Sequence, residues 1–370
     1  MKYIEKLLNG AEVKWMPLGE VVTLEKGKQL NKRLLTEDGA YPAYNGGVSY
    51  SGFTSIFNYS ENKIIVSQGG ASAGFVNFIS TKFYANAHCY VVLPNLSKVD
   101  NRYIYHLLKL NQEKLMGKQL GAGIPALRSN EILGLIVPIP PFHVQEEIVR
   151  ILDKFTTLET ELEAELDCRK RQYQYYRDQS LSFGMLKRGG QKLNNIEIIA
   201  LGEMCSVQRG KRLTKRDLNH NGRYPVFHGG IEPIGYYSSS NREANSVMVI
   251  NVGASAGTVG YSSKEFWSSD GCFCFSHCKQ LNQKYLFYAL QSMENSIKGQ
   301  VRKAGIPTLD NKVVEKLKIP IPPLAEQQRI VSILDKFEAL TTSISEGLPK
   351  EIELRRKQYE YYRNQLLSFA

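Results

Sequence analysis

Cysteine and histidine gather most densely at Cys272, Cys274, His277 and Cys278, where a metal reading has to be tested first. Zinc sites commonly take paired cysteines two to four residues apart and a second pair further along the chain. Here Cys272 and Cys274 alternate with Phe273 and Phe275, as a strand turns small apolar side chains to one face, and Cys89 alone stands in the matching region of the first half. No metal is expected. His88 and His228 are candidates for base reading or proton transfer, against the plainer reading of satisfied domain histidines. The Gly-rich strings Gly70–Gly74 and Gly253–Gly257 (GASAG) could form phosphate nests, but glycine in such strings more often makes tight turns between strands, and turns are expected.

Several catalytic signatures are missing. No G-x-x-x-x-G-K-[ST] loop, no G-x-G-x-x-G after a strand and no H-E-x-x-H occurs. Val137–Pro141 (VPIPP) lacks the Asn-Pro-Pro-aromatic or Asp-Pro-Pro-aromatic form of an amino-methyltransferase motif. No catalytic residue and no cofactor is expected. Basic clusters carry more weight. Lys26, Lys28, Gln29, Lys32 and Arg33 share one loop, and Gln208, Arg209, Lys211, Arg212, Lys215 and Arg216 occupy the same place later in the chain. A single run of this kind reads as solvated surface charge. The same run in the same place twice points to phosphate neutralisation on DNA, with Asn45, His88 and His228 as neighbouring contact candidates.

Those loops belong to a chain that is written twice. Leu18–Glu20 recurs at Leu201–Glu203, Gly27–Leu30 at Gly210–Leu213, Tyr41–Gly47 at Tyr224–Gly230 and GASAG unchanged, all displaced by 183 (201 − 18). Gly123–Pro125, Val137–Pro141 and Ile151–Phe155 recur at Gly305–Pro307, Ile319–Pro323 and Ile333–Phe337, displaced by 182 (305 − 123). Lys170–Phe183 returns as Arg356–Phe369, displaced by 186 (356 − 170). So long a period means a duplicated domain and not a solenoid.

Within each half, short β-branched and aromatic runs (Lys63–Ser67, Tyr90–Leu93; Ser246–Asn251, Cys272–Ser276) predict a strand-rich globular domain with one helix, near Arg102–Lys109 and Lys284–Met293. The proline strings end each domain, since proline denies helix and ladder hydrogen bonds. A helix follows over Gln145–Phe183, about 58 Å long at 1.5 Å per residue. Its Ile148, Ile151, Phe155, Leu158 and Leu162 recur as the seam of a coiled coil. The second copy carries extra residues including Gly347, Leu348 and Pro349, which predict a break. The expected domains are 1–142, a spacer helix 143–184, 185–324 and a second spacer helix 325–370. The fold class is α+β, with two homologous strand-rich domains separated by a pair of long antiparallel coiled-coil helices.

The 47 Lys+Arg against 36 Asp+Glu give a net charge of +11, which favours a polyanionic partner. A hydrophobic share of 42% fits two folded domains. No apolar run reaches the roughly 20 residues of a membrane span, Met1–Trp15 lacks the apolar core of a signal peptide, and the six cysteines are too sparse for a disulfide framework. A cytoplasmic protein is expected.

Taken in order, these motifs resemble the specificity subunit of type I restriction–modification systems over essentially the whole length. The second half carries the likeness in Pro320–Pro323, Glu326, Gln327, Ile330–Phe337 and Lys357–Arg363; the first carries it in Val137–Pro141, Gln145, Ile148–Phe155 and Arg171–Arg177. The first half departs in Val137 for Ile and in His143-Val144 where the second has Leu324–Glu326. The resemblance implies two target recognition domains, each reading one part of a split asymmetric DNA sequence. It implies helices that set the spacing and dock two methyltransferase subunits, with restriction subunits joining the complex. Tyr173, Tyr176, Arg177, Tyr359, Tyr362 and Arg363 are then candidate partner contacts, beside the plainer reading of helix packing. The competing classes are a stand-alone DNA-binding regulator, which would normally offer a helix-turn-helix, and a nuclease or methyltransferase.

Overall fold

A computed structural model of the chain describes residues 2–119, 125–181, 196–214, 216–219, 221–343 and 346–369. The chain forms two compact units, Met1–Leu162 with Glu351–Ala370, and Glu163–Lys350. In the first unit the strands are β1 (Lys14–Pro17), β2 (Val22–Lys26), β3 (Tyr41–Tyr44), β4 (Gly52–Thr54), β5 (Lys63–Ser67), β6 (Val76–Ile79), β7 (Tyr84–Ala85), β8 (Cys89–Pro94) and β9 (Ile136–Ile139). They make a four-stranded antiparallel sheet in the order β2-β8-β5-β6, a three-stranded sheet β4-β3-β7 and the ribbon β1-β9. The second unit repeats the plan with β10 (Glu197–Ala200), β11 (Val207–Arg209), β12 (Tyr224–Phe227), β13 (Gly235–Tyr237), β14 (Ser246–Ile250), β15 (Val259–Ser262), β16 (Trp267–Ser268), β17 (Cys272–Phe275) and β18 (Lys318–Ile321). Its sheets are β11-β17-β14-β15, β13-β12-β16 and β10-β18.

The central strands are buried on both faces, and their period-two alternation sorts side chains into two layers. Val247, Val249, Phe273 and Phe275 pack towards the helix Gln283–Ser292 through Tyr285 and Leu286. Met248, Ile250, Cys272 and Cys274 pack with Phe227 and Phe266 on the other face. The cysteine alternation is therefore a strand's. Burial pushes the Cys272 thiol up to about 12, and among the described residues no cluster could hold a metal ion. In the first unit the helix Asn101–Leu110 buries Tyr103, Ile104, Leu107 and Leu108, and Asp100 caps it by accepting from the Tyr103 amide, a contact worth about 1 kcal/mol.

The proline strings differ from expectation. Each is a strand and not a bare stop: Pro138 stands opposite Trp15 on the ribbon β1-β9, where its missing N–H is tolerated at an edge. The Pro138 carbonyl accepts from the Tyr103 hydroxyl at 2.9 Å, and Pro320 accepts from Tyr285 at 2.8 Å.

The long helix runs Phe142–Leu181, 40 residues, so its expected last two residues lie outside the described residues. It contributes residues up to Leu162 to the first unit and later ones to the second. The expected seam is redrawn: Val144, Gln145, Ile148 and Leu152 are buried, whereas Leu158 is 41% exposed. The cause is that the first turns lie on the helix's own domain. There the Gln145 amide donates to Pro140 O (2.9 Å) and accepts from the Asp100 amide (2.8 Å). Gln327 repeats both bonds with Pro322 O and the Asn282 amide, each at 2.8 Å. The second helix is broken, as Leu324–Thr342 and Gly347–Leu367. Gly347 takes φ +79°, a conformation that needs glycine. Within the first unit the end of this second helix runs antiparallel to Phe142–Leu162: Arg356 pairs with Glu159, and Tyr362 stacks on Phe155 at 5.2 Å. Among the described residues no helix is long and apolar enough to cross a membrane.

Candidate nucleic-acid interface

The duplicated basic loop is fastened to the turn between β7 and β8 by backbone bonds. The Gly27 amide donates to Cys89 O (2.9 Å) and the Lys28 amide to Ala85 O (3.0 Å). The same turn meets the end of β3 through Asn86 N–H to Tyr44 O (2.8 Å) and Gly46 N–H to Cys89 Sγ (3.3 Å), and the Gln68 amide donates to His88 O (2.8 Å). Lys26, Lys28, Gln29, Asn45 and His88 are thereby brought together, all exposed. The second unit repeats the frame. Gly210 N–H reaches Cys272 O (3.1 Å), Lys211 N–H Ser268 O (2.9 Å), Ser269 N–H Phe227 O (3.0 Å) and Asn251 N–H Gly271 O (3.0 Å). Exposed Gln208, Arg209, Lys211 and His228 meet there, with Arg212 alongside.

This geometry reassigns part of the shared motif. A Cβ on Gly27 or Gly210 would lie 2.1 Å from the carbonyl oxygen of Asn86 or Ser269, so glycine is demanded by close backbone approach. Leu30 is buried with Ala43 and Tyr84. Glycine and leucine are scaffold; the residues free to vary are the exposed polar ones. Lys32 and Arg33 lie past Leu30 on the single turn Lys32–Leu34, capped by Asn31. Arg216 is exposed, and Lys215 lies outside the described residues. Among the described residues Lys26, Lys28, Lys32, Arg33, Lys211, Arg212 and Arg216 have no carboxylate partner, the condition in which cations are available to phosphate.

His228 is not solitary. Its Nδ1 lies 3.3 Å from Asp270 Oδ1, and these residues stand where the first unit has Asn45 and Ala87. The GASAG strings are the β5–β6 and β14–β15 turns. Gly74 N–H is spent on Ser67 O and Gly257 N–H on Ile250 O, both at 2.8 Å, which closes each string as a strand-to-strand turn. One further constellation went unnoticed in the sequence: Ser246 Oγ lies 2.9 Å from His277 Nε2, whose Nδ1 is 3.3 Å from Glu243. It has the connectivity of a hydrolase triad. Yet Ser246 is buried, and its hydroxyl donates to Glu243 O at 2.8 Å, which removes the nucleophile.

The helix-end aromatics divide by direction. Tyr359 is buried against His106, Tyr173 donates to Gln291 Oε1 (2.9 Å), and Tyr176 stacks on Phe337. Arg177 and Arg363 lie over the Tyr173 and Tyr359 rings. Tyr175 and Tyr361 point outward, 60% and 61% exposed; the 3.6-residue period separating them from their neighbours was the available signal.

The model of the type I restriction modification DNA specificity domain matches residues 11–167 and again 194–354. The specificity subunit of the Escherichia coli type I restriction enzyme EcoR124I/EcoR124II is 32% identical over 410 residues, covering 100% of this chain and 97% of that protein. The EcoprrI specificity subunit of Escherichia coli is 27% identical over 381 residues, covering 94% and 92%. Among solved structures, the type I restriction–modification S subunit from M. genitalium superposes with a TM-score of 0.68 at 23% identity, covering 98% of each chain.

Proposed function

The chain belongs to the family of type I restriction–modification DNA specificity proteins, and from that premise we propose that each strand-rich half reads one part of a split, asymmetric DNA target. It is a specificity subunit that catalyses nothing itself; methylation and cleavage reside in the partner methyltransferase and restriction subunits. The observation that carries the reading is the twice-built loop cluster, a matching backbone hydrogen-bond frame that presents a shared lysine, Lys28 or Lys211, between side chains that differ: Lys26 and Gln29 in one unit, Arg209 and Arg212 in the other. Cations anchor phosphates without reading sequence, and side chains that vary on a constant frame alter which bases are read. Residues 1–142 and 185–324 are the recognition domains, and 143–184 and 325–370 are spacer helices. Tyr175 and Tyr361, with Tyr176, Arg177, Tyr362 and Arg363 beside them, form the docking surface for methyltransferase subunits, since outward tyrosine next to arginine is the composition of an interface anchor. The protein works in the cytoplasm, where its DNA is.

The test is a chimera. Residues 196–323 are exchanged for those of a relative, the chain is assembled with its methyltransferase subunits, and the methylated sites are mapped. One half of the target should change and the other should persist. A change in both halves, or in neither, would overturn the assignment.

A further inference from the structure

We propose that the second unit carries a phosphate clamp, in which Arg209 and Arg302 converge on one cleft and hold a backbone phosphate of the bound DNA. The proposal rests on the reading of this unit as a DNA reader and adds a contact whose arginine is Leu120 at the matching place of the first half (302 − 182).

The Gly305–Pro307 string recurs in both halves, and neither a turn nor a coiled-coil role accounts for it. In the second unit Pro307 O accepts from the Gly253 amide (2.9 Å) and the Leu309 amide donates to Asn251 O (2.8 Å). Asn251 in turn reaches the β16–β17 turn through its amide to Gly271 O (3.0 Å) and its Nδ2 to Asp270 O (3.2 Å). Arg209 Nε donates to that same Asp270 carbonyl at 2.9 Å. The loop is thus tied, through two short backbone segments, to the strand end that bears Arg209.

Between them lies a cleft of about 580 Å³, lined by Arg209, Gln300, Arg302, Thr308 and Asn311 with Phe273. Among the described residues neither arginine has a carboxylate partner. The Arg302 guanidinium reaches Thr308 Oγ1 at 3.5 Å, and Asp310, which also lines the cleft, caps the Lys312 amide at 2.9 Å. Two guanidinium groups facing one open cleft outweigh its single carboxylate, Asp310, and favour an anion between them. The fork geometry of arginine suits the paired oxygens of a phosphodiester. An open cleft beside the exposed Lys211 suits a continuous polyanion better than a small enclosed ligand.

In the first half Lys26 takes the place of Arg209, but the residue 182 before Arg302 is Leu120 (302 − 182). Lys118, two residues before it, is paired with Glu131 at 2.5 Å.

The experiment measures DNA binding against salt for the chain assembled with its methyltransferase subunits, comparing the wild type with Arg302→Ala, Arg302→Lys and Lys118→Ala. Thermal melting of each variant checks the fold. Arg302→Ala should bind about tenfold more weakly. Its slope of log K against log salt should fall by about 0.9, the value for one lost phosphate. Arg302→Lys should keep the slope and lose part of the affinity, Lys118→Ala should do neither, and the methylated sequence should be unchanged throughout. Unaltered affinity and slope in Arg302→Ala would overturn the clamp, as would a changed methylated sequence, since the residue would then read a base. A combined Lys211→Ala, Arg212→Ala, Arg216→Ala variant separates the two levels. If it flattens the slope while Arg302→Ala does not, the clamp alone falls; if neither moves the slope, the DNA reading of this face falls with it.

Discussion

In the first unit the helix Asn101–Leu110 presents Arg102 and His106 to Asp153; in the second the helix Gln283–Ser292 presents Lys284 and Tyr288, 182 residues on (284 − 102), to Asp335. Arg102 grips Asp153 through Nε (3.1 Å) and Nη2 (2.5 Å), whereas Lys284 lies 3.8 Å from Asp335 and 2.9 Å from Glu338. His106 links two partners, Asp153 through Nε2 (2.8 Å) and the Tyr359 hydroxyl through Nδ1 (3.0 Å). Tyr288 offers its one hydroxyl hydrogen to Asp335 (2.5 Å) and Glu338 (2.8 Å). It has no ring nitrogen to accept from the aromatic of the other helix, and Tyr173 turns to Gln291 instead. The lesson is that the duplicated frame requires a buried donor to the Asp of the ILDKF string and little more. Which donor is supplied decides how the unit responds to pH.

The largest expected effect comes from removing the helix end that this clamp holds. Tyr359, Leu366, Leu367 and Phe369 are buried in the core of the first unit. Deleting residues 351–370 should cost on the order of 6–12 kcal/mol, at about 1.5–3 kcal/mol per buried side chain. That rivals the whole stability of a domain. Hydrogen exchange should show β5 and β8 unprotected while β14 and β17 keep their protection; equal protection in both units would mean the helix end is a mere cover. The milder pair Leu366→Ala with Leu367→Ala should lower the melting temperature of the first unit in the same direction.

Next comes His106→Ala, which strips Tyr359 and Asp153 of a buried partner and should cost about 2–4 kcal/mol. Tyr288→Phe leaves carboxylates that are partly exposed and should cost about 1 kcal/mol. Denaturant midpoints of the two variants would reverse the comparison if Tyr288→Phe proved the more damaging.

A smaller effect separates the units by pH. Burial pushes the His106 pKa below its ordinary 6.5, more strongly than its bond to Asp153 raises it. The unfolded chain therefore takes the proton first, so this contribution is complete above 6.5 and is lost as pH falls below it. Burial alone would raise Asp153, but its bonds to His106 and Arg102 hold it below 3.8, and its own loss comes at lower pH. Tyr288 is raised above 10.0 by burial and by its bond to Asp335; its contribution is lost only in alkali. Between about pH 7.5 and 5.5 the first unit should weaken and the second should not. His106→Gln, which donates without titrating, should remove the difference; persistence of the acid response in that variant would place its origin elsewhere. The smallest effect is Arg102→Lys, expected to cost below about 1 kcal/mol because Asp153 is a third exposed and its solvent screening is retained. Melting curves would check it.

The sequence by itself determined the duplication, the strand-rich halves, the helix after each proline string and the break near Gly347. Each is a matter of local periodicity or of repeated strings, which need no knowledge of what lies across the fold. It also placed the two basic loops, since Lys and Arg exposed on glycine-bearing turns announce themselves by type. What it left undecided was direction. Gly27 is glycine because Asn86 O, 59 residues away (86 − 27), comes too close for a Cβ. Leu152 replaces Leu158 in the buried stripe because the helix lies on its own domain. Tyr359 turns inward because His106, 253 residues earlier, waits with an unshared nitrogen, while Tyr361 on the same helix is left to solvent. Arg302 and Arg209 come to line one cleft only through hydrogen bonds that run by way of Asn251 and Asp270. Contacts between residues distant in the chain leave no period and no spacing behind, so only the tertiary structure could decide them.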